Sequence, residues 1–209
     1  MSNRPILVTG AHRSGTTWVG KMVASSKKVV YIHEPFNLFH LEGGIYHGKF
    51  SKWFTYINSI NAWKYEHALQ KTIDKKYDMI KALLRSNNNL NNLKGVIKEG
   101  FIYNWARISN KRALVKDPIA IFSTEWLVNT FNMQPIILIR HPAAFVASVN
   151  KKNWSHPFSD FLVQPNLINN LISDFRDEIK FFSEHSQDIN DQACLLWRII
   201  YYVVHLFQT

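Results

Sequence analysis

The sequence predicts an α/β fold: a P-loop-like parallel β-sheet with helices on both faces. Three observations carry that expectation. Short apolar runs alternate with segments of helical spacing, which is the signature of βαβ units. The first run, Pro5 to Thr9, is continuously apolar up to its terminal threonine, as suits a strand buried on both faces. It ends at Gly10, and a second glycine, Gly15, stands just before the next helical segment.

Taken in order, Pro5 to Thr9 is the first strand, and Thr16 to Ala24 the first helix, with hydroxyls near its start. Val29 to Ile32 is a second strand, closed by His33-Glu34-Pro35. Residues 36–60 are irregular and aromatic, 61–85 are helical in spacing, and 86–92 read as a low-complexity asparagine-rich loop. Residues 95–108 fit no single pattern. Ala113 to Lys116 is the third strand, closed by Asp117-Pro118, and a helix follows over 119–132. Pro135 to Ile139 is the clearest strand, followed by Arg140-His141-Pro142. Helices are expected over 143–151, 167–185 and 190–207, and no internal repeat or domain boundary interrupts the single domain of 1–209.

Composition narrows the function. With 46% hydrophobic and 14% aromatic residues, the chain is built to fold. The formal net charge of +10 favours an anionic partner: nucleic acid, an anionic membrane surface, or a multiply charged small ligand. One cysteine, Cys194, excludes a disulfide within the chain and fits a reducing, cytoplasmic setting. The most apolar stretch, Ala193 to Phe207, contains Arg198 and falls short of the roughly 20 residues of a membrane span, so it reads as a core helix. No nucleic-acid module and no metal-ligand spacing among the histidines is present, so neither partner is expected.

The sharpest local signal is Gly10-Ala11-His12-Arg13-Ser14-Gly15-Thr16-Thr17. Loop amides and a helix N-terminus together make an anion cradle. The spacing matches the P-loop pattern G-x-x-x-x-G-K-[ST], except that Thr16 stands in place of lysine. Arg13 supplies a cation inside the loop instead. The strand at 135–139 runs into Arg140, where a magnesium site would need a carboxylate, so a nucleoside-triphosphatase or nucleotide kinase is the weaker reading.

These residues resemble a family. The run Arg13-Ser14-Gly15-Thr16-Thr17-Trp18 is similar to the 5'-phosphosulfate loop of sulfotransferases that use 3'-phosphoadenosine-5'-phosphosulfate (PAPS). Arg140 to Ser148 resembles their second signature, an arginine at a strand end with a serine eight positions later. His33-Glu34-Pro35-Phe36 and Val115-Lys116-Asp117-Pro118 look like landmarks of bacterial and carbohydrate-type members. The resemblance runs from Ile6 to about Ser148, more weakly beyond, and relatives continue for another strand and several helices. It therefore implies a member lacking the usual C-terminal part.

The resemblance implies PAPS as donor and a small-molecule or glycan hydroxyl as acceptor. It implies that Arg13, Ser14, Gly15, Thr16 and Thr17 hold the 5'-phosphosulfate, and that Arg140 and Ser148 hold the 3'-phosphate. Catalytic roles fall to Arg13 on the leaving phosphate, Glu34 as base, with His33 as alternative, and Lys116 near the sulfonate. Plainer readings stand beside these: Glu34 as a capping residue, His33 as a surface or packing residue and Lys116 as a strand-end lysine in solvent, while Asp117 is expected to cap the turn before Pro118. Trp53, Phe54, Trp63, Phe101 and Trp105 are expected in the core or an acceptor cleft. A non-catalytic nucleotide-binding remnant is a further alternative.

Overall fold

The computed structural model describes residues 3–86, 90–185 and 187–207. Four parallel strands form one sheet: β1 (Ile6–Gly10), β2 (Val29–His33), β3 (Arg112–Lys116) and β4 (Gln134–Leu138), in the order β2-β3-β1-β4. The chain leaves β1, builds outward to β2, returns to β3, and then crosses to the other side of β1 for β4. Parallel strands need such crossovers, and here each carries helix.

Side-chain alternation divides the core in two. On one face, Ile6, Val8 and Leu114 pack with Val19 and Val23 of α1 (Thr16–Ala24). On the other, Leu7, Ile32, Ala113 and Val115 meet the larger core. That core includes Leu127 of α5 (Thr124–Phe131), Phe145 of α6 (Pro142–Asn150) and Ile199 of α10 (Ile189–Leu206). Helices thus cover both faces, as the sequence predicts. The contact of α1 with the sheet is close. A Cβ at Gly20 would lie 2.9 Å from the Tyr31 ring and 3.1 Å from Cγ of Lys116.

Between β2 and β3 lie α2 (Glu66–Ile73), α3 (Met79–Arg85) and α4 (Leu90–Ile108). The single helix expected over 61–85 is therefore two. The break follows Lys75, held at φ 60°, and Asp78 caps the second piece by accepting from the Lys81 amide at 3.0 Å. Residues 87–89 of the expected loop lie outside the described residues, whereas 90–92 and the ambiguous 95–108 belong to α4.

Later segments also depart from the simple reading. The helix expected over 119–132 begins only at Thr124, after a 3-10 turn at Ile121–Ser123. The segment 167–185 divides into α8 (Pro165–Asn170), a 3-10 turn at Ser173–Phe175, and α9 (Arg176–Glu184), with α7 (Ser159–Leu162) before them. Strand β4 lies at the sheet edge among the described residues, and its side chains are only partly buried. An edge strand tolerates Pro135, which has no N–H to give. None of the described helices is long and apolar enough to cross a membrane.

Candidate active site

The C-terminal ends of all four strands reach one rim of the sheet, where open α/β sheets bind ligands. A cleft of about 540 Å³ opens there. His12, Arg13, Thr16, Thr17, Glu34 and Lys116 line its polar side. Trp53, Phe54, Trp154 and Leu196 belong to its apolar side.

The loop between β1 and α1 departs from β1 at Gly10, whose φ is 135°. A Cβ on Gly10 would fall 2.4 Å from the Leu138 carbonyl oxygen, so β4 approaches too closely for any side chain. Arg13 and Gly15 both take positive φ, 65° and 90°. The glycine does so freely, whereas Arg13 is held there by the surrounding loop. Gly15 precedes the first turn of α1, whose amides and dipole face the same rim.

Hydrogen bonds tie this loop to the end of β4. Arg140 donates from Nη1 to the Arg13 carbonyl oxygen. Arg13 donates from Nε to Ser148 Oγ at 3.1 Å, and its guanidinium lies 5.6 Å from the Trp154 ring centre. Arg13, Arg140 and Ser148 are thereby brought together, with Ser148 on α6 as its spacing requires. Neither arginine has a carboxylate within ion-pair distance among the described residues.

Helix α10 supplies a part of this arrangement that the sequence reading missed. The Tyr201 hydroxyl donates to the Leu138 carbonyl at 3.2 Å and accepts from the Arg140 amide at 3.0 Å. Ser14 Oγ lies 3.1 Å from the same phenol. With the phenol proton on Leu138, Ser14 is the donor. One turn earlier, Trp197 donates to the Arg140 carbonyl at 2.8 Å. Ser14 is thus turned toward α10, while Thr17 faces the cleft.

The opposite wall is an ion pair. Lys116 is only 1% exposed, and its Nζ bonds to Glu34 Oε1. This overturns the reading of Lys116 as a solvated strand end: β3 lies inside the sheet, and α1 crosses close above the lysine stem. Glu34 sits at φ 44°, just past β2, and its second oxygen accepts from Asn37 at 2.9 Å. Burial pushes the Glu34 carboxyl up. Hydrogen bonds from Lys116 and Asn37, with the nearby Lys116 and His33 charges, outweigh it and hold the pKa below the usual value.

Beneath this pair lies Asp117, wholly buried and bonded to the amides of Phe36 at 2.7 Å and Ile119 at 2.9 Å. Burial is the main cause that raises its pKa to about 7. It therefore does more than cap its own turn: it anchors the segment that carries Glu34. His33 points to the surface, with Nε2 3.8 Å from Glu34. In the sequence His12 has no role beyond its place in the loop, yet its ring sits in the cleft wall against Phe54, Phe145 and Trp154. Burial and then the Arg13 charge lower its pKa to about 4, so it is neutral at physiological pH.

The aromatic expectations divide. Trp53 and Phe54 line the cleft, whereas Trp63, Phe101 and Trp105 are exposed. Among the described residues, no cluster of His, Cys, Asp or Glu could hold a metal ion.

Comparison with known proteins bears on the family. No curated protein and no solved structure matches the chain. The family model described as "Sulfotransferase family" matches residues 5–196, which takes in the loop, the Glu34–Lys116 pair, Arg140 and the first part of α10, ending just before Trp197. A match over nearly the whole sequence makes the chain a member of the sulfotransferase family.

Proposed function

We propose that the protein transfers a sulfuryl group from PAPS to the hydroxyl of a small-molecule or glycan acceptor. The observation that carries this reading is the pair Arg13 and Arg140. Both lie beside a loop and helix N-terminus, and neither is neutralised by a carboxylate among the described residues. PAPS carries a 3'-phosphate, a 5'-phosphate and a sulfonate. It calls for two neighbouring anion clamps, one for each side of a single ribose. The side chains of Arg13, Thr16 and Thr17 and the backbone amides of Ser14 and Gly15 suit the 5'-phosphosulfate, and Arg140 with Ser148 suits the 3'-phosphate.

In the transfer, the acceptor oxygen bonds to sulfur as the bond from sulfur to the 5'-phosphate oxygen breaks. The electron pair departs on the phosphate, and the acceptor proton passes to a base. Arg13 and the loop amides stabilise the growing charge on the phosphate. Arg13 works by charge and hydrogen bonds, since guanidinium keeps its protons. Glu34 is the candidate base: it borders the cleft and is ionised at neutral pH. Lys116 holds it in place and offers a charge to the sulfonate. Because arginines and amides meet the anionic charge, the scheme requires no metal. The lone cysteine suits a reducing, cytoplasmic setting.

The test is thermal unfolding with 3'-phosphoadenosine 5'-phosphate, against AMP and ATP. A ligand that binds only the folded state raises the melting temperature. The 3'-phosphorylated nucleotide is expected to give the largest shift. Arg140→Ala should weaken it about tenfold to hundredfold, the worth of one charged hydrogen-bond donor, and leave AMP little changed. Equal losses for both nucleotides would overturn the assignment of Arg140.

A further inference from the structure

Helix α4 is apolar on two sides. Leu93, Val96, Gly100, Tyr103 and Ala106 turn inward, where Tyr103 donates to the Tyr31 carbonyl at 3.2 Å. On the outward side, Leu90, Ile97, Phe101, Trp105 and Ile108 recur at intervals of seven, four, four and three residues. That spacing places them in one stripe. All five are largely in solvent, with Phe101 71% and Ile108 80% exposed. At 1.5 Å per residue the stripe is roughly 27 Å long. The neighbouring α3 adds Ile80 and Leu84, likewise exposed and one turn apart. A largely apolar band of this kind, with Lys94 set within it, is not what an ordinary solvated helix presents.

Charge decides what the band fits. Helices α3 and α4 together carry Lys81, Arg85, Lys94, Lys98 and Arg107 against a single acid, Glu99. Lys94 and Lys98 lie within or beside the apolar stripe by their spacing, and both are exposed. The chain as a whole has a formal net charge of +10. A second copy meeting this face would set like charges against each other. An anionic lipid surface would take the isoleucine, phenylalanine and tryptophan side chains into its acyl boundary, and its headgroups would meet the lysines. We propose that the outer face of α3 and α4 is a docking surface for anionic membrane, on which the folded protein lies without crossing it.

The experiment is co-sedimentation of the full chain with vesicles of phosphatidylcholine alone and of phosphatidylcholine mixed with phosphatidylglycerol. Binding is expected to the mixed vesicles, weak or absent with phosphatidylcholine alone, and to fall as salt is added. Phe101→Glu with Trp105→Glu should abolish it. Lys94→Glu with Lys98→Glu, which spares every apolar side chain, should weaken it about tenfold or more. All four positions are exposed, so far-ultraviolet circular dichroism and the nucleotide-induced melting shift should be unchanged. Failure to bind mixed vesicles would overturn the proposal. So would equal, salt-insensitive binding to both vesicles. Self-association in sedimentation equilibrium that Phe101→Glu removes would reassign the face to a second copy.

Discussion

The two walls of the cleft handle positive charge in opposite ways. On one wall, Lys116 is buried and its charge is met by Glu34. On the other, Arg13 lines the cleft and Arg140 lies just behind it, both partly in solvent and, among the described residues, with neutral oxygens and an aromatic ring rather than a carboxylate as partners. A buried cation must be paired to exist at all, because leaving water costs several kcal/mol per ion. A cation at a rim remains solvated and bears no such demand. The Lys116 wall is thus built into the folded protein, while the charge of the arginine wall has no acid to meet it among the described residues.

The strongest way to break this comparison is Lys116→Met. It keeps the stem and leaves the Glu34 carboxylate in its partly buried place without a cation. A loss of about 3 kcal/mol is expected at neutral pH in urea unfolding. The pH dependence fixes the cause. In the native protein the Glu34 pKa is lowered, so its stabilisation is present above the unfolded value of 4.5 and is lost as pH falls through the lower folded value. Without Lys116, burial raises the pKa, and the variant's deficit should shrink in mild acid as Glu34 takes up a proton. A deficit that stays constant with pH would mean that lost packing, and not pairing, is responsible.

A smaller effect is expected from Tyr201→Phe. It leaves the ring in the core and removes the hydroxyl shared by Leu138, Arg140 and Ser14. A loss of about 1–2 kcal/mol in chemical unfolding should accompany weaker binding of 3'-phosphoadenosine 5'-phosphate. Unchanged affinity would show that the arginine wall does not depend on α10 for its shape. The smallest change in stability is expected from Arg13→Ala, within about 0.5 kcal/mol, as for other exposed positions without a buried partner. The same variant should lose most of its nucleotide-induced melting shift. A large loss of stability instead would erase the distinction between the two walls.

Much of the frame is legible in the sequence, because strand and loop signals are local. The Gly10–Gly15 loop and the apolar run at 113–116 need only their own spacing to be found. Boundaries failed where tertiary contacts decide them. The helix over 61–85 breaks after Lys75 with no proline to announce it, and the buried 3-10 turn at Ile121–Ser123 delays α5. Lys116 looked solvated because a lysine ending a strand usually is; only the strand order and the approach of α1 bury it. Tyr201 and Trp197 carry no motif of their own. They matter because α10 packs along α6 and so reaches the end of β4, a fact of three-dimensional neighbourhood.

The bond between Ser14 and Tyr201 closes a loop of chain 187 residues apart in sequence. Contacts that distant form late, because the entropy of closing the loop is lost before the contact returns anything. Helix α1 needs only neighbouring residues for its hydrogen bonds and can take shape early, whereas β1 must wait for β3 and β4. The anion cradle between them, though, acquires the tether on Ser14 and the brace on Arg140 only when α10 docks. The rim that carries Arg13 and Arg140 therefore reaches its final shape only once α10 is in place, so local loosening of α10 should be felt at the loop first.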